Sequence, residues 1–203
     1  MAGRSQSRET ALGIRTHSGW ACAILATGQG DTIEILDRRR IMLHDPKKDG
    51  TKQPFHTAEP LSFALAENHI GVCRKTTAGL ARDAVAGFQD FSQSRHARLA
   101  GICVITGSGR ALPDLRAILA SHALIHAAEG EFYRDALLDA AVALKVPASR
   151  LNASQASPSV AARLGIGEAL LAEILGGIGK RIGRPWTVDE KLATMAAWML
   201  LAK

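Results

Sequence analysis

Leu99-Ala-Gly-Ile-Cys-Val-Ile105, running directly into Thr106-Gly-Ser-Gly-Arg110, is an apolar run that ends in glycines. A charge-free run of this length, bounded by turn residues, predicts a strand buried on both faces. Pro113-Asp114 then opens a short helix, expected over residues 114–121. A central strand that passes through glycines into a helix is how open α/β sheets present backbone N–H groups to anions. The turn has neither GxGxxG nor GxxxxGK[ST], so it reads first as an ordinary connection. An anion site at Gly107-Ser-Gly109 is the alternative.

Toward the amino terminus the chain reads as a strand meander. Residues 11–26 carry Leu12, Ile14, Trp20, Cys22, Ile24 and Leu25, and Thr27-Gly-Gln-Gly30 supplies a turn. Residues 31–37 alternate apolar and polar as a strand covered on one side, and Ile41-Met-Leu-His44 predicts a third short strand. Arg38-Arg39-Arg40 between them reads as an exposed connection or a phosphate-contacting edge. Residues 51–60 read as a loop, with Thr57 capping a helix that opens at Glu59-Pro60. Residues 60–90 form one long helix, or two broken near Gly71 or Gly79, with His69, Arg74, Lys75 and Arg82 on the wet side.

Toward the carboxyl terminus lies His122-Ala-Leu-Ile-His126-Ala-Ala-Glu129-Gly-Glu131-Phe-Tyr-Arg134-Asp135, the place where polar chemistry is densest inside apolar sequence. As one helix it places His122, His126 and Glu129 along a face. Gly130 is a poor mid-helix residue, however, which favours a strand over 122–128, Glu129 at its end, and a helix from Glu131 to Lys145. In that arrangement His126 is a packed histidine, Glu131 a helix-dipole partner, and Glu129 a carboxylate that must meet water, a cation or a donor. Residues 146–152 are a connection with a brief weak strand, and residues 154–159 a polar linker. Alanine- and leucine-rich helices then follow over 160–164, 166–175 and 188–201. Thr187 and Glu190 make a capping box for the last, whose Met195, Trp198 and Met199 face a core.

The 203 residues suit a single domain over 11–203 behind a polar, flexible lead-in over 1–10. Aromatic residues are 4% of the chain, so alanine, leucine and glycine must supply close packing between elements. Cys22, Cys73 and Cys103 form no CxxC and no paired framework, and Cys22 and Cys103 read as buried small hydrophobes. No run is long enough to span a bilayer, and a cytoplasmic protein is expected. The formal charge of +6 favours polyanion partners without specifying one.

The order strand, strand, strand, long helix, strong strand, then helices and further strands resembles the ribonuclease H-like fold, most clearly its RuvC-like branch. Gly13-Ile-Arg-Thr-His-Ser-Gly19-Trp-Ala looks like that branch's strand-turn-strand opening. The unit built on Glu129 looks like its second element, and Asp189-Glu190 falls where it keeps its final carboxylates. The resemblance implies a mixed sheet with three antiparallel strands followed by alternating helices and parallel strands. In active members it also implies carboxylates from separate elements holding two divalent ions. Here Arg15 or a near neighbour stands at the first of those positions; Thr16, His17 and Ser18 offer no carboxylate, and arginine repels magnesium rather than binding it.

A degenerate, cofactor-free module that binds nucleic acid or protein is therefore expected, with Arg15, His17, His126, Glu131 and Arg134 as binding residues. A network of Arg15, His17, Glu129 and Arg134 that satisfies only itself is the structural counterpart of the same grouping. The alternative is a magnesium- or manganese-dependent phosphodiester hydrolase using Glu129 with Asp189 or Glu190, and Asp37 if it turns inward. A third reading is a small-molecule enzyme on an all-parallel sheet with His126 as base. Self-association of the chain is compatible with all three.

Overall fold

The computed structural model describes residues 8–107 and 111–202. Five strands form one sheet in the order β3-β2-β1-β4-β5. They are β1 (Arg8–His17), β2 (Trp20–Gln29), β3 (Thr32–Met42), β4 (Ala97–Thr106) and β5 (Ala148–Asn152). Strand β2 pairs antiparallel with both β1 and β3, whereas β4 pairs parallel with β1 and β5. This is the mixed sheet that the resemblance implied, and it removes the all-parallel alternative. Residues 108–110 of the glycine turn lie outside the described residues. Arg8, Glu9 and Thr10, counted in the expected lead-in, belong to β1, and residues 1–7 lie outside the described residues.

The sheet is covered on both faces. Leu12, Ile14, Ala21, Ala23 and Leu25 point to one face, where they pack with α2 (Phe63–Ser94) and α4 (His122–Ala143). Ala11, Ala26, Cys22 and Ile24 point to the other, beneath α7 (Val188–Leu201). Helices α5 (Ala156–Leu164) and α6 (Glu168–Ile182) complete that second layer around Trp198, which is fully buried. Short side chains let α7 lie very close to the sheet: a Cβ built on Gly13 would sit 1.8 Å from the Ala193 carbonyl oxygen. Cys22 and Cys103 are buried, and burial pushes the Cys22 thiol up to about 12.

Several local expectations are settled or corrected. Helix α2 is continuous, because Ala66, Ile70, Cys73, Thr77, Ala81, Val85 and Phe88 keep one buried stripe, while Gly71 and Gly79 face open space. Segment 122–128 is no strand: α4 runs unbroken through Gly130, with Ile125, Ala128, Glu129, Phe132, Tyr133 and Leu137 on its buried side. A Cβ at Gly130 would lie 3.1 Å from both terminal nitrogens of Arg134, whose flexible side chain folds back over it. Arg38, Arg39 and Arg40 lie within β3 rather than in a connection. Thr57 caps nothing; it sits inside the short helix α1 (Pro54–Ala58), and Ser62 precedes α2. The supposed linker is a 3-10 turn (Ala153–Gln155) followed by the start of α5. Helix α3 (Leu115–Leu119) begins behind Asp114, whose carboxylate accepts from the Ala117 N–H. None of the described helices is long and apolar enough to cross a membrane.

The capping box at α7 is as expected, with Glu190 accepting from the Thr187 N–H at 2.7 Å and from its hydroxyl at 2.7 Å. Burial opposes the charge on Glu190, yet these bonds, its own backbone N–H and nearby Arg38 hold its carboxyl below the ordinary glutamate value. A depressed carboxyl adds stability above its unfolded-state pKa and loses it as pH falls through the folded one. Replacing Glu190→Gln is expected to cost about 1 kcal/mol at neutral pH. It should also flatten the acid side of the stability profile, read by urea unfolding across pH. Gly13→Val should be costlier, at least about 3 kcal/mol in the same assay, because the clash is with helix backbone that cannot rotate away. A value within about 0.5 kcal/mol of the parent would show that α7 does not rest on β1 this closely.

Candidate functional site

The carboxyl end of β1 meets the first turn of α7. Arg15 and His17 alternate with Ile14 and Thr16, so they share the α7 face with Gly13. Ala193 abuts Gly13. Asp189, one helical turn earlier, therefore reaches Arg15 and His17: four residues of helix and two of strand both advance about 6 Å. His17 Nε2 lies 2.9 Å from Asp189 Oδ2, and Arg15 Nε lies 3.9 Å from Oδ1. The His17 ring stacks on Trp20 with centroids 4.3 Å apart, and the Arg40 guanidinium lies 3.8 Å above the Trp20 ring.

Arg134 stands on α4, its guanidinium folded back over Gly130 and paired with Glu131. Burial, and then the charge of Arg134, lower the pKa of Arg15, against the opposite pull of Asp189. The Nε of Arg15 and that of Arg134 are each buried without a hydrogen-bond partner. Glu131 is shared between Arg134 and Arg150, the latter at 2.8 Å, and Arg150 also holds Asp135. Among the described residues no second carboxylate bonds to Arg15 or His17. The locus offers one carboxylate, Asp189, beside the Arg15 guanidinium and the His17 ring, too few oxygen ligands for a pair of divalent cations.

The remaining expected residues are elsewhere. Glu190 is spent on its cap. Asp37 pairs with Arg39, which stacks over Phe88 on the α2 face. Glu129 does not join Asp189, and the self-satisfying network expected of Arg15, His17, Glu129 and Arg134 lacks it. It is 3% exposed inside α4, where Oε1 accepts from Phe55 N–H at 2.8 Å and from His56 N–H at 3.2 Å. That carboxylate closes the amino-terminal end of α1. Its Oε2 is buried and without a partner. Burial pushes its carboxyl above the ordinary value, opposed by the His56 and Phe55 donors.

His126 lies in a different company from that expected. His56 of α1 meets His122 and His126 of α4, with ring centroids between 4.6 and 5.3 Å apart. One nitrogen from each ring lies within 4.8 Å of the others, so the three could hold a divalent metal ion. The spacing of His122 and His126 shows in the sequence once the segment is read as one helix. His56 carried no local signal, because α1 is a five-residue element in a stretch that reads as loop.

No family model and no curated protein sequence matches the chain. Its fold is similar to that of Thermus thermophilus RuvC, with a TM-score of 0.54 and 13% identity over 94% of this chain and 92% of that one. T. thermophilus RuvC in complex with a Holliday junction substrate matches equally well, with a TM-score of 0.54 and 14% identity over 94% and 91%. At such identity the likeness speaks for the fold. The chain has the ribonuclease H-like fold, similar in its course to that of RuvC.

Proposed function

We propose that the chain is a nucleic-acid-binding module on a ribonuclease H-like scaffold, in which arginine takes the place of metal. The observation that carries this is Arg15, paired with Asp189 at the β1–α7 junction, its Nε buried without a hydrogen-bond partner. Where metal-dependent members of the fold gather carboxylates to hold cations, this junction presents a guanidinium. A phosphate oxygen accepts directly from the terminal nitrogens of a guanidinium, in bonds stronger than those between neutral groups. Asp189, itself bonded to His17, restrains Arg15, which reduces the entropy lost on binding.

Contacts of this kind position a backbone without reading its sequence. The stack of His17, Trp20 and Arg40 adds a partly exposed aromatic platform at the same end of the sheet. The chain's excess of positive charge favours the same partner. The RuvC structure with a Holliday junction makes branched DNA a reasonable first ligand to try. The hydrolase alternative draws no support from the disposition of its carboxylates, since Glu129, Glu190 and Asp37 each serve a different contact.

Fluorescence anisotropy with a linear duplex and a four-way junction, in EDTA and over a range of salt, tests the proposal. Binding is expected without metal, with a salt slope that falls by about 1 for each phosphate contact removed in Arg15→Gln and Arg134→Gln. Absence of binding at low salt sinks the nucleic-acid reading, and unchanged slopes in both variants sink the assignment to this junction.

A further inference from the structure

Three of the chain's seven histidines converge from two separate elements on the α1–α4 side of the molecule. His122 and His126 lie one turn apart on α4, and their Nε2 atoms are 3.1 Å from each other. His56 approaches from α1. Its Nδ1 lies 3.2 Å from Glu129 Oε1, the carboxylate oxygen that also takes the His56 and Phe55 backbone N–H groups. A carboxylate on Nδ1 fixes the proton there and leaves Nε2 as the lone-pair donor. His122 has a weaker version of the same arrangement, with Nδ1 3.9 Å from Glu59 Oε1 and Nε2 turned to His126.

We infer that His56, His122 and His126 form a zinc site, with Glu129 as the outer carboxylate that orients His56 and with water completing the coordination. Imidazole nitrogens suit zinc and its transition-metal neighbours, whereas magnesium and calcium take oxygen. Histidine ligands that hand their second nitrogen to a carboxylate are the usual form of such sites. Tetrahedral zinc needs ligand nitrogens about 3.3 Å apart. The 3.1 Å pair already meets that spacing, and the third nitrogen, within 4.8 Å, has to draw in by about 1.5 Å at most. His122 and His126 are exposed, so rotamer changes can bring this about and a solvent molecule can reach the fourth position.

Glu129 supplies an independent sign. A carboxylate at 3% exposure with one oxygen unpartnered is costly, and a cation one imidazole away offsets that cost. The site would also clamp α1, a five-residue helix, onto α4. It shares no residue with the Arg15 junction and stands or falls independently of it.

The test is calorimetric titration of zinc sulfate into the chelator-treated full chain, alongside thermal unfolding with and without zinc. One zinc per chain is expected, with a Kd of about 1 µM or tighter. His122→Ala/His126→Ala alters two exposed side chains, so it should keep the parent's Tm without zinc, bind zinc at least about 50-fold more weakly, and lose the zinc-dependent rise in Tm. Glu129→Gln should weaken binding by about 10- to 100-fold with unchanged stoichiometry. Uptake by the double variant equal to the parent's, or none by the parent at about 100 µM zinc, overturns the assignment.

Discussion

The close seat of α7 on β1 is the contact on which the rest of the molecule depends. It exists because Gly13 has no side chain and because Ala193 and Ala197 present almost none in return. With backbone nearly touching backbone, the first turn of α7 is carried to the end of β1, and Asp189 meets Arg15 and His17 without needing a long side chain. The capping box of Thr187 and Glu190 fixes where that turn begins. A chain poor in aromatic residues achieves this tight packing through alanine and glycine, and the few large side chains, Trp198 above all, fill the space behind.

The same geometry could serve opposite chemistries. A sheet end with a helix turn laid across it gathers side chains from distant parts of the sequence, and their charge decides what comes to rest there. Carboxylates would collect cations. Arg15, with a single aspartate beside it, makes the junction one that favours an anion over a pair of cations. The histidine cluster lies apart from this junction, joined instead to Glu129 on the other layer of the fold.

What was legible in the sequence is what local pattern decides. The buried β4 strand, the antiparallel opening, the capping box and the buried Trp198 all follow from residues close together in the chain. Where tertiary contacts decide, the reading failed. Gly130 looked like the end of a strand because the buried side of α4 that outweighs one glycine's cost, with Ala128, Glu129, Phe132 and Tyr133 around it, is a tertiary packing face. Helix α1 looked like loop because its amino-terminal N–H groups are satisfied by Glu129, 74 residues from Phe55. That one carboxylate both creates α1 and brings His56 to the cluster, so misplacing it hid the third histidine. Arg15 could be read directly, as a cation standing where the resemblance calls for an acid.

The central claim is that the β1–α7 junction engages phosphate through its own arginines. It is tested most directly by proton–nitrogen correlation spectra of the arginine Nε–H groups, recorded while a short DNA duplex is added in EDTA and then while magnesium is added in place of DNA. The account predicts that the Arg15 and Arg134 resonances move with DNA in the absence of metal, and that magnesium leaves the Asp189 amide where it was. Unmoved arginines together with an Asp189 amide that shifts with magnesium would contradict it.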